Sequence, residues 1–160
     1  MGIFESDHSS LQINILSNIF LYGNAISEQI RKDMEEEINH LWNEPRGLVW
    51  MNNLPYLLNV NVQVFLFPDL KMRDILANTN PRNNYFRVEE YAHGNISYVD
   101  GCGSNSGYFK LENLYKGSTT AAHEYGHSLG LPHPDDLDIR GKGRPGIMYP
   151  RGTLVDPEFQ

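Results

Sequence analysis

The stretch HEYGHSLGLPH, His123 to His133, spends three of the chain's six histidines, one glutamate and two glycines on eleven residues. His123 and His127 are four apart, so on a helix their rings stand one turn apart on one face and can point at a single ion. Glu124 projects beside that pair. Gly130 falls where the helix should stop, and a glycine there takes the left-handed conformation that turns the chain back sharply. The reversal brings His133 round to the same ion. Three neutral imidazoles leave a fourth tetrahedral position open to water, the arrangement of a catalytic zinc site and not of a closed structural one. Zinc lowers the pKa of such a water to roughly 7, and Glu124 is placed to take its proton and pass it to a leaving amine. The pattern predicts one catalytic Zn2+ held by His123, His127 and His133, with Glu124 as catalytic base.

Two other readings compete: an amphipathic helix with ordinary histidines, and a zinc that only staples the fold. The five fixed positions should arise by chance in on the order of one chain in ten thousand, which weighs against the first. Structural sites usually saturate the metal with four protein ligands, which weighs against the second. Asp135, Asp136 and Asp138 are the nearby residues able to supply a fourth ligand.

Outward from this stretch, a helix begins at Ser118, Thr119 or Thr120, any of which can cap it, and runs through AAHEYGHSL to Gly130. Upstream, Leu11, Ile13 and Ile15 alternate with polar neighbours as in a strand buried on one face. Ile26, Ile30, Met34, Ile38 and Leu41 then recur at helical spacing in AISEQIRKDMEEEINHLW, one long amphipathic helix. LVWM, NNLP and YLLNVNVQVFLF read as a hairpin whose second arm puts Val60, Val62, Val64 and Leu66 on one face. A short helix at DLKMRDILA follows, then three β segments, YFRVEEY, NISYV and GYFKL. The order is β, α, several β, α and an irregular tail.

With 160 residues, 40% of them apolar, the whole chain, 1–160, suits a single domain with one core. A formal charge of −7 gives no attraction for nucleic acid or anionic lipid. The most apolar early segment, LQINILSNIFLYG, is broken by Gln12, Asn14, Ser17 and Asn18 and follows Glu5 and Asp7, so it lacks the pattern of a signal peptide, and nothing approaches a membrane span. A lone Cys102 makes no internal disulfide, which leaves the compartment open.

With those residues in view, the chain resembles the metzincin metallopeptidases, whose signature H-E-x-x-H-x-x-G-x-x-H is met at His123, Glu124, His127, Gly130 and His133. GIMYP, Gly146 to Pro150, looks like that clan's methionine turn, with Met148 as the hydrophobic base beneath the metal. HSLGL and the M-Y-P wording look most like matrixins, whereas Pro134 is more reminiscent of serralysins. Tyr149 follows the methionine directly, and Pro150 stands where some relatives carry a tyrosine that swings to the metal. An oxyanion would then rely on zinc and backbone amides.

The resemblance implies an α+β fold: a twisted, mostly parallel five-stranded sheet with an antiparallel edge strand, packed on a long helix and the active-site helix, followed by an irregular part with the Met-turn. It implies a zinc-dependent endopeptidase that hydrolyses extended protein or peptide substrates through a zinc-bound water activated by Glu124. Tyr149 and Pro150 would border the substrate pocket. The substrate would pair with the sheet edge, for which NISYV, Asn95 to Val99, is the candidate. The match departs in four ways. Fourteen residues separate His133 from Met148, only twelve follow Met148, the matrixins' second zinc site has no counterpart at His93, and no prodomain precedes the first strand.

Among lesser features, Cys102 reads as an inert thiol against a latency ligand. The acidic group Asp135, Asp136 and Asp138 reads as a solvated turn against a calcium site. Arg140, Lys142 and Arg144 read as a hydrated loop against a surface preferring acidic substrates. His8, His40 and His93 are expected at the surface. A zinc-containing module that binds peptides without cutting them is the alternative function. A further reading makes the chain the toxic end of a larger secreted polypeptide, with an inhibitor or immunity-type protein as partner.

Overall fold

The computed structural model describes residues 1–91 and 93–159. Seven strands, β1 (Ile3–Asp7), β2 (Gln12–Tyr22), β3 (Leu48–Met51), β4 (Leu54–Leu66), β5 (Asn83–Glu89), β6 (Tyr98–Val99) and β7 (Ser106–Lys110), form one sheet in the order β3-β4-β2-β5-β7-β6, with β1 paired to β2. The neighbours β4-β2, β2-β5 and β5-β7 run parallel, while β1, β3 and β6 join antiparallel at the margins. Helices α1 (Glu28–Asn43), α2 (Met72–Leu76) and α3 (Thr120–Ser128) complete the regular structure. The architecture is the expected α+β arrangement with a mostly parallel sheet.

Two expectations are corrected. The sheet has seven strands, not five, because β1 and the hairpin arm β3 both join it. β1 buries none of its side chains and so carries no periodic signal; backbone pairing to β2, Ile3 opposite Leu16 through Asp7 opposite Gln12, makes it a strand. The segment NISYV is paired only at Tyr98 and Val99, opposite Tyr108 and Gly107. Asn95, at φ 59°, lies in a short 3-10 turn and cannot extend that strand.

Elsewhere the local chemistry places the elements where their sequences direct them. Ser27 caps α1, its Oγ accepting from Ile30 N at 3.2 Å. Asn52 and Asn53 both take positive φ, 49° and 63°, as a two-residue hairpin loop between β3 and β4 requires. Ile19, Leu21, Val60, Val62, Val64, Phe86, Val88 and Phe109 face Met34 and Ile38 of α1 and Ala121, Ala122 and Tyr125 of α3. The core is thus one sheet face under two helices. Phe20, stacked between Phe65 and Tyr85 at 5.4 and 5.5 Å, lies outside that cluster. His8 and His40 are exposed as expected; the side chain of His93 lies outside what is described.

β3 covers β4 only as far as Leu57, so Val60, Val62 and Val64 present backbone groups with no strand beyond them. Side chains of α1 take that place. Asn43 donates to Val60 O and accepts from Val60 N, both at 2.8 Å. Asn39 does the same for Val62 at 2.8 and 2.9 Å, and Glu35 accepts from Val64 N at 2.8 Å while Arg31 donates to Val64 O at 3.2 Å. The spacing works because four helical residues rise about 6 Å and two strand residues about 6.6 Å. A side-chain amide offers one donor and one acceptor, the same pair a neighbouring strand would offer.

Replacing Asn39 with alanine leaves the Val62 N–H and C=O without these partners, and we expect a loss of about 1–3 kcal/mol in urea unfolding. An unchanged unfolding midpoint would show that water serves this edge equally well.

Candidate metal centre and cleft

α3 has nine residues, and each part of it is held by another element. Thr119 precedes it in the left-handed region at φ 61° and makes no side-chain cap, although it is β-branched and such a residue rarely adopts that backbone. Ser118 Oγ accepts from Thr120 N at 3.3 Å. The Glu37 carboxylate of α1 accepts from Ala122 N at 3.3 Å and faces the amides of Ala121 and Thr119. Burial raises the Glu37 pKa, and these amides oppose the rise by favouring the charged form. Trp42 Nε1 donates to Ala122 O at 2.9 Å. Tyr125, fully buried, meets Ser17 of β2 through its hydroxyl at 2.8 Å.

The C-terminal end closes as the glycine predicts. Gly130, at φ 93°, gives its amide to His127 O at 3.0 Å, and Leu131 N reaches Gly126 O at 3.1 Å. This pair of bonds is the Schellman closure. The same reversal places Leu131 O 2.8 Å from His127 Nδ1.

The three histidines converge. Their Nε2 atoms lie 3.1 Å apart between His123 and His127 and 3.0 Å apart for each of the other two pairs. His123 Nδ1 lies 2.8 Å from Ile147 O. A carbonyl only accepts, so the Nδ1 atoms of His123 and His127 carry the protons and their Nε2 lone pairs are free. Three nitrogens each about 2.0–2.1 Å from one tetrahedral ion stand roughly 3.3 Å apart, close to the separations here. The donor set fits a zinc ion, and a backbone carbonyl behind a ligating ring is the usual outer partner of such histidines. Desolvation lowers the pKa of His123 and of His133, so both rings favour the neutral form that can bind metal. Among the described residues, this is the one group of His, Cys, Asp and Glu side chains arranged to hold an ion.

Glu124 is buried beside the cluster. Burial pushes its carboxyl up to about 7, against the pull of a hydrogen bond from the Val99 amide of β6. A cleft of about 600 Å³ opens over His123, Glu124, His127 and His133. Ile96 to Val99 form one wall and Tyr149 to Arg151 another.

Met148 is not among the residues lining this cleft; it packs against α3 at Gly126, where a Cβ would overlap its Sδ and come within 2.8 Å of Trp42. A glycine inside a helix costs about 1 kcal/mol relative to alanine, and this approach is its reason.

Two carboxylates of the acidic cluster turn to cations of their own loop. Asp136 pairs with Lys142, and Asp138 takes Arg140 through two bonds, Nε at 2.9 Å and Nη2 at 2.6 Å. Two of the three cations of this loop, Arg140 and Lys142, are engaged in these pairs, and Arg144 lines a different cavity beside α1. Arg151 is the arginine on the cleft wall. Cys102 is exposed and also lines the cleft, outside the histidine cluster.

Glu37, Trp42 and Gly126 had legible signals. Glu37 stands on the face of α1 that carries Met34, Ile38 and Leu41, an unusual place for a carboxylate. Gly126 sits in mid-helix. Trp42 extends the apolar stripe by one residue.

No protein-family model matches the chain, and no curated protein matches it. Among solved structures it is similar to that of myroilysin, at 13% identity and a TM-score of 0.38, over 73% of this chain and 49% of the other. The chain therefore spans about half the length of that one.

Alanine at Gly126 should cost about 1–3 kcal/mol through overpacking against Met148, and M148A should recover part of the loss. Thermal unfolding of both single variants and the double variant checks this; additive losses would mean that the two residues do not meet.

Proposed function

We propose that the chain is a zinc-dependent endopeptidase of metzincin type, closest in its motif wording to matrixins. The observation that carries this reading is the convergence of three Nε2 atoms within 3.1 Å of one another beside the buried carboxylate of Glu124, all facing an open cleft.

His123, His127 and His133 would hold the ion, which when bound would supply Lewis acidity, acidifying water and polarising a carbonyl. Glu124 takes the proton of the attacking water and hands it to the leaving nitrogen. Its carboxylate, with its pKa lifted by burial, is a stronger base for the first transfer than an exposed glutamate would be. Ile147 O and Leu131 O keep the His123 and His127 rings in the metal-binding tautomer. Met148, wedged against Gly126, supports the helix as a Met-turn residue would. Tyr149 and Pro150 border the substrate pocket. An extended peptide lies along the cleft beside β6, where main-chain bonds give affinity and side-chain pockets give selectivity.

In the wild type, a denatured protein such as casein should be cleaved, and a chelator should stop the cleavage. The E124Q variant should retain zinc within about threefold of wild type while losing at least roughly a thousandfold in kcat/KM, since proton transfer and water orientation both go. Zinc binding without cleavage by wild type would leave the peptide-binding module as the function. Cleavage persisting in E124Q would remove Glu124 from the mechanism.

A further inference from the structure

Glu37 is 86 residues from Glu124's neighbour His123 in sequence, yet its carboxylate supplies the cap that α3 lacks. The first turn of a helix has amide groups with no intrahelical acceptor. Here Thr120 N goes to Ser118 Oγ, Ala122 N goes to Glu37, and the amides of Ala121 and Thr119 also face that carboxylate. His123 N makes the first turn of the helix itself, to Thr119 O at 3.0 Å. The ring-bearing residue therefore hangs from Thr119, whose left-handed conformation is a backbone state that a β-branched residue does not favour. His127 and His133 depend on the other end of α3, where the glycine turn fixes them. The two ends have independent anchors, and only the first rests on a side chain from another element.

We propose that Glu37 is a positioning residue for the metal centre: by holding the amides of the first turn it keeps Thr119 in its strained conformation and so sets His123 against His127 and His133. The inference rests on the zinc reading above. It makes Glu37 a determinant of zinc affinity although the side chain lies on α1 and outside the cleft. Trp42, one turn further along α1, steadies the same turn by donating to Ala122 O.

The test is zinc affinity of the full chain, measured by competition with a chromophoric chelator, beside thermal unfolding of each variant. E37A should bind zinc at least roughly tenfold more weakly, the range expected when an outer partner of a ligating histidine is lost. E37Q, whose amide oxygen still accepts, should stay within about threefold of wild type. T119G removes the backbone strain, because glycine adopts positive φ readily. The double variant E37A/T119G should therefore regain most of the lost affinity, and it serves equally if E37A alone folds poorly. Unchanged zinc affinity in E37A with a lowered unfolding temperature would overturn the proposal and leave Glu37 as a stabilising cap only. Failure of T119G to restore affinity would also overturn it. Absence of zinc binding by wild type would sink the metal reading itself, a result distinct from both.

Discussion

Isolated helices shorter than about 12 residues are marginal in water, and α3 has nine, with a glycine in its interior. Its persistence depends on being gripped. Glu37 and Trp42 of α1 hold its first turns, the Tyr125 hydroxyl ties its buried face to Ser17 of the central strand β2, and Met148 fills the space that Gly126 leaves. The Gly130 reversal closes the far end. Each anchor comes from a different part of the chain. Where the histidines point is thus a property of the assembled domain, not of the helix that carries two of them.

α1 links this clamp to the sheet. Its inward face buries Met34 and Ile38 in the core, and its Arg31, Glu35, Asn39 and Asn43 side chains stand in for a missing strand along β4. An uncovered edge invites pairing with other chains, and covering it with a helix is one of the ways proteins avoid that. Because the hydrogen bonds run the length of the helix, α1 cannot slide along β4 without breaking several at once. That fixed register carries over to Glu37 and Trp42, and through them to α3. The sheet edge and the histidine cluster therefore share one structural support.

At the site, backbone carbonyls do much of the orienting. Ile147 O and Leu131 O each hold one imidazole by its Nδ1, which turns the free lone pairs of Nε2 toward a common point. The loop from Asp135 to Arg144, in contrast, closes its charges on itself through Asp136–Lys142 and Asp138–Arg140. Exposed pairs of this kind contribute little stability, but they leave those side chains engaged within their own loop. The cleft walls come instead from β6 and the segment after Met148.

The features legible in the sequence are those governed by local geometry. The i, i+4 spacing of His123 and His127 follows from the helical turn, and the stop at Gly130 from a backbone conformation that glycine favours. The amphipathic stripe of α1 and the alternation in β2 and β4 follow from the two periods of regular structure. The seventh strand, the amide ladder of Asn39 and Asn43, the Glu37 cap and the carbonyl of Ile147 behind His123 were decided only by tertiary structure. Their partners lie from 5 to 85 residues away along the chain, and most use backbone atoms that every residue possesses. A carbonyl oxygen has no sequence signature, so its role appears only when folding brings it to a particular ring.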